Sequence, residues 1–307
     1  MVCGVLPADG SPFEIGEVVS ALRSVRRSWR SAQGRVSELG GRELPSRDIL
    51  KEILADLKGV LFPMRLGPPE LRQEVEDYYV GVTLDKALHA LHGQVRLELQ
   101  HSARHAHLAL KDIETRALGI VQNFAQALPD NRALLDTDVL AAYHGDPAAH
   151  SVDEVLLCYP GVHALINHRL AHTLYGLGVT VLARLIAEIA HGETGIDIHQ
   201  GARIGSGFFI DHGTGVVIGE TTTIGERVRI YQAVTLGAKR FPVDAMGHLQ
   251  KGLPRHPNIE DDVVIYAGAT VLGRVTVGAG ATVGGNLWIT HDVPPGANLT
   301  QARSLEI

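Results

Sequence analysis

Charged and imidazole side chains meet at two places in the second half of this chain. One segment reads Asp211-His212, and the other reads Arg255-His256. A further carboxylate, Asp197, stands fifteen residues before His212. Because a carboxylate beside an imidazole orients the ring and raises its basicity, Asp197 and His212 are the first candidates for a general-base pair.

In the sequence around these residues, aliphatic side chains recur at every sixth position, a spacing that we call the stride of six. Four positions after many of the aliphatic residues stands another small or apolar residue, such as Ala202, Thr214 or Val228. Two inward positions per hexad, with three hexads in one triangular coil, are typical of a parallel β-helix. The stride therefore predicts a β-helix in the second half of the chain. The aliphatic residues recur at every sixth position in three unbroken runs, 198 to 210, 218 to 236 and 259 to 289.

The two segments that carry the charged and imidazole side chains both lie where the six-residue repeat is interrupted. Two residues are inserted within 211–215, and about twenty are inserted within 237–258. Repeat proteins tend to place function where an insertion interrupts the repeat. Because one coil takes about eighteen residues, Asp197 and His212 are expected on neighbouring coils near one edge. A lone histidine is usually a surface residue, but the lengthened corner and the second histidine on the long loop favour a site.

The chain before the β-helix is predicted to be helical. Apolar residues such as Ile53 and Leu57 recur at three- and four-residue spacing, and Ser151 with Glu154 forms a capping box. The expected fold class is therefore α+β. The N-terminal domain is expected to be all-helical. The expected boundaries are 1–190 for the helical domain, 191–307 for the β-helix, 237–258 for its loop and 294–307 for the C-terminal tail.

Composition excludes several classes of protein. The chain has 307 residues, and 45 % of them are hydrophobic. Its formal charge is -6, and its acidic and basic residues are intermixed. It therefore offers no basic stripe that would bind nucleic acid or membranes. Cys3 and Cys158 are too far apart for a Cys-x-x-Cys metal site and too few for a disulfide framework. Without a recognisable secretory signal or membrane span, we expect a cytoplasmic protein.

Several short motifs lie between residues 146 and 295. They are Asp146-Pro147-Ala148, Tyr159 to Ala164, His168-Arg169, Gly195-Ile196-Asp197-Ile198-His199, Phe209 to Thr221 and Arg255-His256-Pro257. In combination, these motifs resemble those of bacterial and plant serine acetyltransferases. The resemblance implies a left-handed β-helix and acetyl transfer from acetyl-CoA to the hydroxyl of L-serine. The products would be O-acetyl-L-serine and CoA, the first step of cysteine biosynthesis.

The resemblance implies catalytic roles for three residues. His212 matches the general base that takes the serine hydroxyl proton as the oxygen attacks the thioester. Asp197 matches the carboxylate that orients this base, and His256 matches a second active-site histidine near the reacting hydroxyl. A direct transfer needs no protein nucleophile, so a ternary complex is expected.

The resemblance also implies the substrate contacts. Asp146 and Asp211 match the acidic pair that holds the substrate ammonium, and Arg255 matches the guanidinium that pairs with the substrate carboxylate. Glu220 belongs to the same substrate-binding group. A free amino acid is a zwitterion, so a site needs one cationic contact, at least one anionic contact and a base for the hydroxyl.

The co-substrate and the assembly follow from the same resemblance. Ala238 and Ala267 match positions that contact CoA, and Gly237 and Lys239 beside Ala238 are expected to bind acetyl-CoA as well, although Lys239 departs from the family's usual residue. No metal is expected. The family's active site lies in a groove between adjacent subunits, which implies a homotrimer or a dimer of trimers. The resemblance also implies that the helical N-terminal domain contributes to oligomerisation and to the substrate site. The C-terminal Ile307 makes O-acetylserine sulfhydrylase a candidate partner.

Other interpretations stay open on the sequence alone. Segment 284–288 is similar to sugar acetyltransferases, so the acceptor could be homoserine or a sugar, although Asp146, Asp211 and Arg255 favour an amino acid. A zinc carbonic anhydrase can use the same left-handed β-helix, but it needs three converging imidazoles, and the repeat region has no close histidine pair. A non-catalytic scaffold is disfavoured because the set of chemical residues is intact.

Overall fold

The computed structural model describes residues 13, 15–34, 44–103, 110–240, 242–244 and 246–301. By its internal contacts the chain divides into two compact units, residues 1–43 and 44–307. The first unit contributes helix α1 (Ile15–Ala32), on which no residue is buried. The second unit holds the other described helices and all the described strands. The domain boundary expected at residue 190 lies inside this second unit and stays a prediction.

The second unit begins with a helical region. Ser151 Oγ accepts a hydrogen bond from the backbone N–H of Glu154 at 3.0 Å, which confirms the predicted cap. No helix within the described ranges is both long enough and apolar enough to cross a membrane. The helices are α2 (Arg47–Leu61), α3 (Pro63–Leu66), α4 (Glu76–Ala103), α5 (Leu110–Gly145), α6 (Val152–Cys158), α7 (Pro160–Gly176) and α8 (Thr180–Thr194).

Short parallel strands follow α8 and form three sheets. Each strand pairs with a strand of the next coil, so the sheets are the three faces of a prism, and the predicted left-handed parallel β-helix is confirmed. Sheet 1 contains β1 (Asp197–Ile198), β4 (Val217–Ile218), β7 (Thr235–Gly237), β10 (Thr270–Leu272) and β13 (Trp288–Ile289). Sheet 2 contains β2 (Arg203–Ile204), β5 (Thr223–Ile224), β8 (Asn258–Ile259) and β11 (Thr276–Val277). Sheet 3 contains β3 (Phe209–Ile210), β6 (Arg229–Ile230), β9 (Val264–Ile265), β12 (Thr282–Val283) and β14 (Asn298–Leu299).

The aliphatic residues of the six-residue stride fill the interior of the prism. In sheet 1, Ile198 pairs with Ile218 and Ile218 with Leu236, and all three are buried. Thr214, four positions after Ile210, was predicted to be the second inward-facing residue of its hexad. That prediction is wrong, because Thr214 is exposed. The two inserted residues displace that position to Val216, which is fully buried. The insertion therefore enlarges a corner without opening the core.

A buried ion pair docks α5 and α7 on the β-helix. Arg169 donates through Nε and Nη2 to the two carboxylate oxygens of Asp138, at 2.7 and 2.8 Å. Arg169 Nη2 also donates to the carbonyl of Gly205 at 2.9 Å, and Asp138 accepts from the N–H of Phe208 at 3.0 Å. The two charges thus satisfy each other and the backbone of one β-helix corner, as buried ions require.

Candidate active site

Two edges of the prism carry the chemical residues. The edge where sheet 3 turns into sheet 1 is called the His212 edge, and its corners are residues 211–216, 231–234, 266–269 and 284–287. The edge where sheet 1 turns into sheet 2 is called the Arg255 edge. Its corners are residues 199–202, 219–222, 238–257 and 273–275. The predicted site residues divide between these two edges and the nearby ends of the helices.

The inserted corner presents His212 to solvent. His212 adopts a φ of 57°, an uncommon backbone conformation for a residue with a side chain. Gly213 follows at φ 85° and lies so close to Ile196 that a side chain at this glycine would overlap it. The imidazole is 71 % exposed, and its Nδ1 lies 3.6 Å from Asp211 Oδ1. The corner thus holds an accessible imidazole beside a mostly buried carboxylate.

Two helix ends bring further groups to this corner. Gly145, the last residue of α5, packs so tightly that a Cβ would lie 2.8 Å from Phe209. Gly161, in the first turn of α7, packs against the carbonyl oxygen of Ile210 in the same way. Larger residues at either glycine would push the helices off β3. The close approach places Asp146, which follows Gly145, beside the His212 corner.

Asp146 is held as a carboxylate. Tyr159 donates its hydroxyl to Asp146 Oδ2 at 2.5 Å, and the N–H of Ala148 donates to Oδ1 at 2.8 Å. The Tyr159 bond lowers the pKa of Asp146, and the Ala148 N–H bond and the charge of Arg229 add smaller contributions. The same bond raises the pKa of Tyr159. Asp146 and Asp211 therefore give the His212 edge a negative charge at neutral pH.

Asp197 lies next to this group without bonding to His212. It is the first residue of β1 and is half-buried. The His212 corner packs against Gly195 and Ile196, directly before Asp197. Within the part of the chain that the structure describes, the carboxylate at ion-pair distance from His212 is Asp211. An Asp197–His212 pair thus stays a prediction.

The Arg255 edge is organised around an ion pair. Arg255 donates from Nη2 to Glu220 Oε2 at 2.5 Å, and Tyr175 of α7 donates its hydroxyl to Glu220 Oε1 at 3.4 Å. Burial opposes ionisation of Glu220, but the bond and the charge of Arg255 outweigh it and hold the pKa of Glu220 below its usual value. In one chain, therefore, Glu220 holds Arg255 in place. Its predicted role in binding substrate stays a prediction.

His256 is buried beside this pair. Its Nδ1 accepts a hydrogen bond from the N–H of Thr221 at 3.1 Å, so the neutral ring carries its proton on Nε2. Burial and the charge of Arg255 lower the pKa of His256 to about 4. A side chain at Gly219 would overlap the ring, which explains why a glycine stands there. The ring is consequently neutral at physiological pH.

Three hydroxyl residues that hold the site residues in place were not predicted from the sequence. Thr221 Oγ1 accepts from the N–H groups of Arg255 and His256, at 2.9 and 3.1 Å, and so fixes the end of the long loop. Tyr159 and Thr221 both lie inside motifs quoted above, but hydroxyl side chains have no spacing that predicts their partners. Tyr175 belongs to α7, and no pattern on that helix predicted its contact with Glu220.

The residues expected to bind acetyl-CoA are separated in one chain. Gly237 ends β7, and Ala238 and Lys239 follow it at the Arg255 edge, whereas Ala267 lies at the His212 edge. Ile307, the expected contact for a partner enzyme, lies outside the described residues. Throughout the described ranges, no group of three or more His, Cys, Asp or Glu residues could hold a metal ion.

A face of the prism separates the two groups of catalytic candidates. The segment from Val216 to Gly219 crosses sheet 1 between them, about four residues of extended chain or roughly 13 Å. His212 and Arg255 of one chain therefore lie at opposite edges of this face.

Comparison with known proteins identifies relatives over most of the chain. The plasmid serine acetyltransferase of Synechococcus elongatus is 59 % identical over 263 residues, which cover 85 % of this chain and 82 % of that protein. The serine acetyltransferase of Mycobacterium tuberculosis is 49 % identical over 160 residues, which cover 52 % of this chain and 66 % of that protein. No family model matches the chain.

Solved structures agree with these sequence relatives. Entamoeba histolytica serine acetyltransferase 1, in complex with L-cysteine, matches with a TM-score of 0.71 and 38 % identity over 81 % of this chain and 86 % of that one. The soybean serine acetyltransferase complexed with serine matches with a TM-score of 0.52 and 30 % identity over 82 % and 96 % of the two chains. The fold and these relatives agree, and the chain belongs to the serine acetyltransferase family.

Proposed function

We propose that this chain transfers the acetyl group of acetyl-CoA to the hydroxyl of L-serine, at a site formed between two subunits. The observation that supports this proposal most strongly is that the site residues lie on two different edges of the prism. The His212 edge holds a base and two carboxylates, and the Arg255 edge holds a cation and a neutral imidazole. Serine carries an ammonium, a carboxylate and a hydroxyl, so the two edges together match all three groups.

The His212 edge would bind the ammonium and the hydroxyl. Asp146 and Asp211 supply negative charge for the ammonium, and the low pKa of Asp146 keeps that charge at neutral pH. His212 takes the hydroxyl proton as the oxygen attacks the thioester carbonyl. Asp197 would orient the imidazole once substrates bind, because apo catalytic hydrogen bonds are often long or poorly aligned.

The Arg255 edge of the neighbouring subunit would bind the carboxylate. Arg255 offers a planar fork of donors, and Glu220 fixes that fork through one nitrogen. His256 is neutral, so it adds no charge that would repel the substrate ammonium. Its Nε2–H would donate to an oxygen near the reacting hydroxyl.

The reaction is then an acyl transfer without a covalent enzyme intermediate. The serine oxygen bonds to the acetyl carbon, the carbon–sulfur bond breaks, and protonated His212 returns its proton to the leaving CoA thiolate. Acetyl-CoA would contact Gly237, Ala238 and Lys239 of one subunit and Ala267 of the other.

A site divided between two edges would need neighbouring subunits. A contact between the His212 edge of one subunit and the Arg255 edge of the next is heterologous, and it gives a ring where the rotation between subunits closes. The homotrimer, a dimer of such trimers and binding of O-acetylserine sulfhydrylase through Ile307 all rest on the family resemblance.

Replacing Arg255 with alanine should raise the serine KM by about 10- to 100-fold, because a charge-assisted bidentate contact is lost. The variant should also lose the preference for serine over serinamide, which lacks the carboxylate. Thiol release from acetyl-CoA, with serine, serinamide, homoserine and simple sugars as acceptors, measures both effects. Arg227→Ala, an exposed arginine at the third edge, is the control. If the serine KM of Arg255→Ala is unchanged, Arg255 does not bind the carboxylate of serine. If a sugar is the best acceptor, the proposed substrate is wrong.

A further inference from the structure

The hydroxyl group of Thr221 joins two corners of the Arg255 edge. Its Oγ1 accepts hydrogen bonds from the backbone N–H groups of Arg255 and His256, at 2.9 and 3.1 Å. The same oxygen lies 2.9 Å from Nδ1 of the His256 ring. A hydroxyl has two lone pairs and one proton, and the two N–H groups occupy both lone pairs. Thr221 therefore donates its proton to His256 Nδ1.

His256 Nδ1 consequently faces two donors. The backbone N–H of Thr221 also donates to it, at 3.1 Å. A proton on Nδ1 would face that N–H and an oxygen whose lone pairs are already occupied. The other neutral tautomer and the protonated ring are both disfavoured, because each would break these two hydrogen bonds. Burial and the charge of Arg255 also oppose a charged ring, and they lower the pKa of His256 to about 4.

The other ring nitrogen of His256, Nε2, is left for a ligand. Within the part of the chain that the structure describes, no group accepts a hydrogen bond from Nε2. The residue is only 7 % exposed, and the Nε2 side of the ring lies directly against Gly219. A nearly buried N–H without an acceptor is costly unless a bound molecule supplies one. Nε2 is thus the atom of this ring that would meet the substrate.

Arg274 holds Thr221 and His256 together through their backbones. Its Nη1 donates to the carbonyl oxygen of Thr221 at 3.0 Å and to that of His256 at 3.1 Å. The two residues belong to different corners of the Arg255 edge, and Arg274 bridges them from a third. Loss of the Thr221 hydroxyl should therefore release the imidazole ring more than the backbone of the loop.

We infer that Thr221 is a positioning residue that fixes His256 as a hydrogen-bond donor through Nε2. The inference rests on the proposed function, in which this N–H meets an oxygen near the reacting hydroxyl. The two histidines of the site then have separate roles. The exposed His212 takes and returns the proton, whereas His256 keeps its proton and only donates a hydrogen bond. Thr221 acts through the His256 ring and not on the substrate itself.

Substitutions at two adjacent threonines test this inference in steady-state thiol release with serine. Thr221→Val keeps the shape of the side chain and removes its hydroxyl, so kcat should fall by about 10- to 100-fold as the ring loses its orientation. Thr221→Ser keeps the hydroxyl, and its kcat should stay within about threefold of normal. Thr222→Val is the matched control, because Thr222 is buried and its Oγ1 has no hydrogen-bond partner among the described residues. It should change kcat by less than about twofold.

A double-mutant cycle shows whether Thr221 acts through His256. In a His256→Ala background, Thr221→Val should lower kcat by less than about twofold, because the ring that Thr221 orients is gone. A hydroxyl that only supported the loop would cost the same in both backgrounds.

Nuclear magnetic resonance locates the proton of His256 without any turnover. In protein whose histidines carry an NMR-active nitrogen isotope, His256 Nδ1 should have the chemical shift of an unprotonated ring nitrogen at neutral pH. Its signal is the one that His256→Ala lacks. In Thr221→Val this signal should move toward that of a mixture of the two tautomers, because Nδ1 has lost one of its two donors.

Several outcomes would overturn the inference. They are a kcat close to normal in Thr221→Val, an equal loss in Thr221→Ser, an equal loss in the His256→Ala background, and a proton on Nδ1 in the unmodified protein. A failure of the proposed function is different, because the unmodified protein would then release no thiol with serine. The chemical shift of Nδ1 would still show whether Thr221 fixes the tautomer of His256.

Discussion

Replacing His212 with alanine should lower kcat by a factor of about 10² or more and leave acetyl-CoA affinity within a few-fold of normal. The imidazole is mostly exposed and fills no part of the core, so its loss removes a base without removing packing. Steady-state thiol release gives kcat, and calorimetry gives the CoA affinity. His248→Ala is a matched control, because His248 is similarly exposed and also lies near an aspartate.

A second variant separates catalysis from folding at this corner. Because residue 212 has a positive φ, alanine carries some backbone strain there, whereas asparagine tolerates this conformation. His212→Asn should therefore lose as much kcat as His212→Ala with less effect on stability. Turnover close to normal in either variant would mean that another group is the base.

Removing Arg169 should destabilise the protein far more than removing an exposed arginine. Arg169→Ala leaves Asp138 buried and unpaired, which typically costs about 3 to 5 kcal/mol. Burial already raises the pKa of Asp138 despite the bond to Arg169, so the unpaired carboxyl should take up a proton. The free energy of unfolding, measured in denaturant at a fixed protein concentration, reports the loss.

The chain offers a control with the same geometry and a different environment. Arg227 also donates two hydrogen bonds to one carboxylate, Asp262, at 2.7 and 2.9 Å, but both side chains are more than half exposed. Arg227→Ala should lose only a small fraction of what Arg169→Ala loses. Equal losses would show that burial is not what makes the Asp138–Arg169 pair important.

The β-helix could be predicted because its core repeats locally. The stride of six determines which residues point inward, and buried Ile218 and Leu236 follow it. The stride failed at Thr214, where an insertion shifted the inward position to Val216. The docking of the helices was not predictable, because Asp138 and Arg169 meet the β-helix through tertiary contacts that leave no periodic signal.

The candidate site was predictable where it breaks the repeat. Two interruptions of the six-residue repeat indicated it. They are the corner with Asp211 and His212, and the end of the long loop. The contacts that hold these residues were not found, because Tyr159 and Tyr175 come from helices that precede the repeat. Glu220, expected among the substrate ligands, bonds Arg255 within the chain.

Co-expression of two inactive variants tests most directly whether the site lies between subunits. His212→Ala keeps a normal Arg255, and Arg255→Ala keeps a normal His212. The assay is made at a serine concentration where neither variant alone has appreciable activity. In mixed rings from equal amounts of both chains, about one site in four would join an intact His212 to a neighbour's intact Arg255, so about a quarter of normal activity should return. Mixed oligomers with no more activity than the separate variants would contradict a shared site.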